Sequence, residues 1–283
     1  MTTTLTPHRS LSTLTFGGVL KSEAIKLLSL RSTAWCFALI LLITVGLAAL
    51  LAGTSGMAAQ NVPTSPEAGQ QLWVLSATLG VSFAQLVVAV LGALTITGEY
   101  GTGMIRSTLT AVPRRLPALV AKAVIIAVST FIVSLVALVA AALLAAAILP
   151  SSGVTPDLSD AGAWWAILGG ATYLALLSVL ALAVGAIVRN SAGGIATILG
   201  LILVLPGVLN IFAAVARVDW ARDLAAFLPD AAGGRMYSNA IDGAQAATGG
   251  AIVLEPVQGL LVMVAWVAAF VALASVMLKS RDV

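Results

Sequence analysis

The chain reads TGEYGTGMIRSTLTAVPRRLPALVAK from Thr97 to Lys122, between two long apolar runs at residues 72–96 and 123–149. The charged residues of this stretch are Glu99, Arg106, Arg114, Arg115 and Lys122. A lysine or arginine at the centre of a bilayer costs roughly 2.5–3.5 kcal/mol, whereas a leucine contributes only about 0.3–0.6 kcal/mol in favour of insertion. We therefore expect the stretch to lie outside the lipid, as a short helix on which another protein can act.

The composition of the whole chain is typical of an integral membrane protein. Of its 283 residues, 60% are hydrophobic and only 9% are charged, and the mean hydropathy is +1.08. A soluble domain carries about 25% charged residues. The single cysteine, Cys36, lies in an apolar run, so no disulfide framework is available, and the single histidine, His8, lies near the N-terminus. A histidine-based metal or catalytic site is therefore not expected.

The apolar runs predict an all-α integral membrane protein with six transmembrane helices, each near the roughly 20 residues that a crossing requires. The predicted spans cover residues 34–52, 72–97, 123–149, 163–188, 192–215 and 256–278. Residues 1–16 are expected to form a disordered cytosolic tail, and residues 17–283 a single membrane domain. Pro206 should kink the fifth span, because proline frees a backbone carbonyl.

The distribution of charge predicts the orientation of the spans. An even number of spans places both termini on one side, and most of the basic residues lie on that side: Arg9, Lys21, Lys26, Arg31, Arg106, Arg114, Arg115, Lys122, Arg189, Lys279 and Arg281. The opposite side holds Arg217, Arg222 and Arg235. Because basic residues accumulate on the cytoplasmic side, the termini and the stretch around Arg106 are predicted to be cytosolic.

Two segments outside the spans have amphipathic patterns. Around residues 15–31, Leu20, Ala24, Leu27 and Leu28 share one face, which predicts an N-terminal interfacial helix, with Lys26 opposite and within reach of Glu23. This helix either contacts a partner or only leads the chain into the membrane. Beyond the fifth span, residues 219–228 predict a short amphipathic helix, and residues 230–250 have no clear assignment.

The stretch that follows the second span has the pattern of a docking segment. Thr102 is placed to cap a helix start, after which Met104, Ile105 and Leu109 gather on one side and Arg106 points elsewhere. An apolar knob with a basic flank fits a groove on a partner protein. The alternative is a connecting loop whose basic residues only fix the topology.

Several kinds of chemistry lack their sequence signals. The chain contains no Gly-Lys pair and hence no phosphate-binding loop, so we do not expect it to be an enzyme that hydrolyses ATP. No charged residue lies deep within a predicted span, which disfavours ion-coupled transport. Ser82, Gln85 and Asn210 are candidates for lining a substrate path, although Gln85 can equally form a hydrogen bond between packed helices.

The run ITGEYGTGMIRSTLT at residues 96–110, followed by Pro113, Arg114, Arg115 and Lys122, resembles the permease subunits of type-2 ABC exporters. Those proteins show an acidic-aromatic pair after the second span, here Glu99-Tyr100, and then a small residue, threonine, an apolar pair, arginine and leucine. The N-terminal Glu23, Lys26 and Arg31 are similar to that family as well. Gly101 and Gly103 depart from its pattern by making the segment looser.

The resemblance implies a half-transporter in the plasma membrane that works with two copies of a separate ATPase and with a second permease, identical or related. ATP and Mg²⁺ would bind to the ATPase and no cofactor to this chain; no nucleic-acid partner is implied. The implied ATPase-coupling residues are Glu99, Tyr100, Thr102, Met104, Ile105, Arg106 and Leu109. Arg114, Arg115 and Lys122 would be cytosolic basic anchors, and Glu23, Lys26 and Arg31 would belong to the interfacial helix.

The expected function is export of a hydrophobic or amphipathic substrate from the cytosol or the inner leaflet. The competing class is a membrane anchor or assembly subunit of another complex, which would not need a docking segment. A channel or secondary carrier is disfavoured by the lack of ionisable residues within the spans.

Overall fold

The computed structural model describes residues 15–55, 65–104, 115–238 and 252–280. Within these ranges all regular structure is helical. The expected tail therefore lies almost wholly outside the described residues, as do residues 105–114 of the expected docking segment.

The first half of the bundle consists of α1 (Phe16–Ser29), α2 (Arg31–Ser55), α3 (Pro66–Thr78) and α4 (Val81–Thr102). The predicted second span is thus two helices, separated by Leu79 and Gly80. A Cβ atom on Gly80 would lie 2.5 Å from the Cα of Thr44, so at this break the chain lies directly against α2. The predicted loop at residues 53–71 is shorter than expected, because Ser65 caps α3 by accepting from the amide of Ala68 at 3.2 Å.

The second half begins with α5 (Arg115–Ile148), which is followed by a 3-10 turn (Leu149–Ser152) and α6 (Ala161–Val188). Two helices then share the fifth span, α7 (Ser191–Leu199) and α8 (Leu205–Ala216), and the chain ends its described part with α9 (Asp219–Ala226), α10 (Pro229–Arg235) and α11 (Pro256–Ser280). The three residues left between the predicted fourth and fifth spans form a tight turn: Arg189 adopts φ 58° and Asn190 caps α7 by accepting from the amide of Gly193 at 2.9 Å.

Within the described ranges, six helical stretches are long and apolar enough to cross a membrane, the number predicted from the sequence. Their bounds are Arg31–Ser55, Pro66–Thr102, Leu116–Ser152, Ala161–Val188, Ser191–Ala216 and Pro256–Ser280. Several are longer than the apolar runs that predicted them. Polar residues such as Glu99 and Lys122 therefore fall inside helices rather than in a connecting loop.

Helix α6 forms the centre of the bundle and is the most buried of the spans. It packs against α4, α5, α7 and α11. On α5, Ala137, Ala141 and Ala145 recur every four residues, and this stripe of small residues is a packing surface, since all three are fully buried. Trp73 of α3 adds a buried hydrogen bond by donating from Nε1 to the carbonyl of Ala142 at 2.8 Å.

The predicted irregularity at Pro206 takes the form of a π-helical segment (Gly200–Val204) between α7 and α8. Proline has no amide hydrogen and its ring crowds the carbonyl four residues earlier. A local widening of the helix removes this conflict while the span continues to Ala216. Asn210 then donates from Nδ2 to the carbonyl of Pro206 at 2.9 Å.

The insert between the last two spans contains one helix that the sequence predicted and one that it did not. The amphipathic helix expected at residues 219–228 is present but ends at Ala226. Pro229 begins α10, with proline at a position where its missing amide is harmless. Helix α10 packs against α6 and α11, so part of the unassigned segment belongs to the core.

Candidate functional site

The N-terminal helix α1 buries a carboxylate rather than a wholly apolar face. Thr15 caps the helix by accepting from the amide of Gly18 at 3.3 Å, and the buried residues are Val19, Glu23 and Leu27. Of the predicted apolar face, Leu27 is buried and Leu28 is 72% exposed, while Glu23, which was not part of that face, is buried beside Leu27. The physical reason is a tertiary ion pair that draws Glu23 toward α5.

Four charged side chains from three helices meet at this point, and we call them the ionic cluster: Glu23 and Lys26 of α1, Glu99 of α4 and Lys122 of α5. The Nζ of Lys122 lies 2.6 Å from Oε2 of Glu23 and 2.8 Å from Oε1 of Glu99. The Nζ of Lys26 lies 2.7 Å from Oε1 of Glu23 and 3.3 Å from Oε1 of Glu99. Each lysine thus bridges both carboxylates.

Burial makes the cluster sensitive to the loss of any member. The side chains of Glu23, Lys122 and Glu99 are 3%, 7% and 9% exposed, and removal of one partner from a buried pair leaves an uncompensated charge. Burial alone would raise the pKa of Glu23, but the ammonium groups of Lys122 and Lys26 hold that pKa below its ordinary value. Burial would lower the pKa of Lys26, and the two carboxylates raise it instead.

Tyr100, which follows Glu99 of the ionic cluster, connects the end of α4 to the other side of the bundle. The guanidinium of Arg189 lies 5.5 Å from the centre of the Tyr100 ring, a cation–π geometry. Arg189 also donates from Nη2 to the carbonyl of Met277 in α11 at 3.3 Å. The end of α4 is therefore linked to α1, α5, the α6–α7 turn and α11.

The residues predicted to be coupling residues and basic anchors occupy different environments in the structure. Glu99 and Lys122 are buried and paired, so Lys122 is a structural partner rather than an exposed basic anchor. Thr102 ends α4 and donates to the carbonyl of Gly98 at 2.9 Å, which corrects its expected role as the cap of a new helix. Arg31 is exposed at the start of α2 and does not join the cluster.

Met104 is 46% exposed just beyond the end of α4, which Gly103 terminates with φ 73°. Ile105, Arg106, Leu109 and Arg114 lie outside the described residues, and of Arg115 only the backbone at the start of α5 is described. The docking segment therefore remains a prediction.

A second polar cluster lies between α4, α6 and α10. Gln85 donates from Nε2 to Oδ1 of Asp230 at 2.9 Å and accepts from the hydroxyl of Tyr173. The ring of Tyr237 lies 5.9 Å from that of Tyr173, and its hydroxyl is hydrogen-bonded to Ser82. Burial raises the pKa of Tyr237 to about 12.

Of the residues proposed to line a substrate path, the structure brings Ser82 and Gln85 together and leaves Asn210 apart, exposed and bonded to its own helix. Gln85 makes the interhelical hydrogen bonds that were its alternative role. The sequence interpretation missed Tyr173 and Asp230. Asp230 follows a leucine-proline pair in a glycine-rich segment, and this pattern gave no sign of burial.

Replacement of Asp230 by asparagine should stabilise the protein at neutral pH. Burial raises the pKa of the Asp230 carboxyl above its ordinary value of 3.8, although the Gln85 amide opposes this by donating a hydrogen bond. The ionised carboxylate therefore lowers stability above the folded-state pKa, and this deficit disappears once pH falls below the unfolded value. We expect Asp230→Asn to melt a few degrees higher than wild type at pH 7 and at the same temperature below pH 3.8.

The measurement is thermal melting of the purified protein across this pH range. Asp219→Asn is the control, because the Asp219 side chain is 82% exposed and its replacement should change little. A lower melting temperature for Asp230→Asn at pH 7 would contradict the assigned burial cost.

No family model and no curated protein matches this chain. In the part of the chain that the structure describes, no group of three histidine, cysteine, aspartate or glutamate residues is arranged to hold a metal ion. The fold defines a class nonetheless: an α-helical, multi-pass membrane protein, whose described residues include six helices long and apolar enough to span a membrane. Its most concentrated buried charge is the ionic cluster at one end of the bundle.

Proposed function

We propose that this chain is the membrane permease subunit of an ATP-driven type-2 ABC exporter in the plasma membrane, with both termini in the cytosol. It pairs with a second copy or a close relative and is driven by two separate ATPase subunits, which bind ATP and Mg²⁺. Its substrate is hydrophobic or amphipathic and leaves from the cytosol or the inner leaflet.

The single observation that carries the proposal is the position of the ionic cluster. Glu99 and Lys122 flank residues 103–110, the segment that corresponds to the exporter coupling helix. Lys122 pairs with Glu99 and also with Glu23 of the N-terminal helix, so that it joins the two carboxylates. A force applied to that segment would act on α1, α4 and α5 as one unit. Because α4 and α5 both pack on α6, movement of this unit would shift the centre of the bundle.

The proposed mechanism needs no chemistry in this chain. Closure of the two ATPase subunits around ATP tilts the coupling segments, and the spans above them rotate as rigid bodies. A buried, fully charged cluster suits this task, since the separation of its members is costly. The extensive exposed apolar surface of α8 and α11 is available to lipid and to the second permease.

Copurification with an ATPase tests the proposal. The tagged chain should retain an ATPase subunit encoded beside it, and Met104→Asp should reduce the amount retained by about tenfold, because a charge replaces an apolar interface residue. Leu158→Asp is the matched control. Leu158 is likewise 46% exposed but lies beyond the opposite end of α5.

Retention of the ATPase by Met104→Asp at the wild-type level, with transport intact, would show that the docking assignment is wrong. Absence of any associated ATPase would favour the membrane-anchor alternative. In both experiments the amount of retained ATPase is expressed relative to the amount of membrane-inserted chain. A folding defect is then not mistaken for uncoupling.

A further inference from the structure

Asp230 lies in the middle of the bundle, although its helix, α10, is not one of the six spans. It binds Gln85, which is at the centre of the span Pro66–Thr102, and Gln85 in turn binds Tyr173 near the centre of α6. Ionisable groups at this depth are costly, and they almost always face the interior of a bundle or a water-filled cavity. Asp230 therefore carries its negative charge at the depth where surrounding lipid tolerates a charge least.

The Asp230 carboxylate is not neutralised by a cation in the part of the chain that the structure describes. No lysine or arginine there forms an ion pair with it. Its Oδ1 accepts a hydrogen bond from Gln85 at 2.9 Å. Its Oδ2 accepts none from a described residue, and yet this oxygen is not one of the buried atoms without a partner, so it keeps accessible surface. A ligand can therefore reach Oδ2.

The surface around Asp230 is polar, whereas a surface that faces lipid is apolar. Ser82, one turn before Gln85 on α4, is exposed, and both Asp230 and Tyr237 are partly exposed. The hydroxyl of Tyr237 is hydrogen-bonded to Ser82, and Tyr237 interacts electrostatically with Asp230. Polar groups that reach the surface in the middle of a span fit the wall of a water-filled path. The second polar cluster therefore has the character of a substrate path, as the sequence predicted for Ser82 and Gln85.

A cation bound at Asp230 would remove the cost of its unpaired charge. Burial of a charge is unfavourable unless the charge is paired and hydrogen-bonded. An ammonium group needs a single strong acceptor, which the accessible Oδ2 provides, whereas a metal ion such as Ca²⁺ takes about six or more oxygen ligands. An ammonium donor and a carboxylate also form one of the stronger kinds of hydrogen bond. The geometry thus favours an organic ammonium over a metal ion.

We propose that the second polar cluster binds the ammonium group of a cationic amphipathic substrate, with Oδ2 of Asp230 accepting from its N–H. The apolar part of the substrate contacts apolar side chains nearby, including Phe83, which follows Ser82 and is 50% exposed. A resident lipid does not supply the ammonium, because lipid headgroups lie about 15 Å from the bilayer centre. The substrate role rests on the proposed function, but binding at Asp230 does not require an ATPase.

Binding of radiolabelled dodecylammonium to the purified full-length chain in lipid nanodiscs tests the proposal. Empty nanodiscs measure the partition into lipid, and dodecanol is the neutral competitor of equal chain length. Dodecylammonium should bind at least about tenfold more tightly than dodecanol, the factor expected from a charge-assisted hydrogen bond. Equal affinity of the two compounds, or tighter binding of dodecanoate, would overturn the assignment. Phosphatidylethanolamine added to the nanodiscs should leave this binding unchanged, and displacement by it would show that a lipid headgroup is the ligand.

Asp230→Asn separates the role of the charge from that of the fold. The asparagine keeps an oxygen for the Gln85 amide and should melt higher than wild type, so its expected loss of the tenfold preference cannot come from unfolding. Asp219→Asn is the matched control, since the Asp219 side chain is 82% exposed, and it should bind dodecylammonium as wild type does. A preference retained by Asp230→Asn would locate the ammonium elsewhere and contradict the site.

The wild-type comparison of dodecylammonium with dodecanol decides the proposal even if Asp230→Asn is less stable than expected. Failure of the chain to copurify with an ATPase would count against the proposed function alone. The two failures are therefore distinguishable.

Discussion

Replacement of Lys122 by methionine should lower the melting temperature of the purified protein by about 10 °C or prevent its accumulation. Lys122 is the ammonium that joins Glu23 to Glu99, at 2.6 and 2.8 Å. Its loss leaves two buried carboxylates with only Lys26 to neutralise them, and breaking a buried pair in this way costs about 3–5 kcal/mol. In a chain of this size such a cost corresponds to a shift of roughly 6–20 °C.

Two further variants separate the ion-pair effect from a simple loss of side-chain volume. Lys21→Met changes an exposed lysine of α1 and should leave the melting temperature within about 2 °C of wild type. Glu99→Gln added to Lys122→Met restores charge balance around Glu23 and Lys26, so the double variant should recover part of the loss. A Lys122→Met protein as stable as Lys21→Met would mean that the cluster does not hold α1, α4 and α5 together.

The sequence predicted the number of spans because run length and hydropathy are local properties that the bilayer imposes. The packing role of Ala137, Ala141 and Ala145 is likewise a local property, since small residues spaced by four lie on one face of a helix. The buried face of α1 was not predicted. Helical periodicity distinguishes the polar face of a helix from its apolar face. No local pattern indicates that Glu23 forms an ion pair with Lys122 of a distant helix.

Two backbone features escaped prediction for related reasons. Gly80 resembles any other small residue within an apolar run, and its approach to Thr44, which leaves no room for a Cβ atom, is a tertiary contact that the local sequence does not indicate. The segment PDAAGGR at residues 229–235 belongs largely to the stretch that had no clear assignment, because its glycines weaken any helical pattern. One of these glycines, Gly233, allows α10 to lie directly against Tyr173 of α6, a tertiary contact that helix propensity does not take into account.

Replacement of Gly233 by alanine should disrupt the packing of α10 and lower the melting temperature by several degrees. A Cβ atom on Gly233 would overlap the ring atoms Cε2 and Cδ2 of Tyr173. Tyr173 is fully buried, and its hydroxyl donates to Gln85, so the ring cannot move aside without breaking the second polar cluster. Overpacking of this kind costs about 1–3 kcal/mol or more.

Gly234→Ala is the control, because the adjacent glycine of the same helix has nothing within 4 Å of an added Cβ. Alanine there should be neutral or stabilising, as it favours helix by up to about 1 kcal/mol. A double-mutant cycle identifies the contact itself. In a Tyr173→Leu background the ring is absent, so Gly233→Ala should cost much less than in wild type. An equal cost in both backgrounds would show that α10 does not pack against Tyr173, and the link from Gln85 through Asp230 to this helix would have to be abandoned.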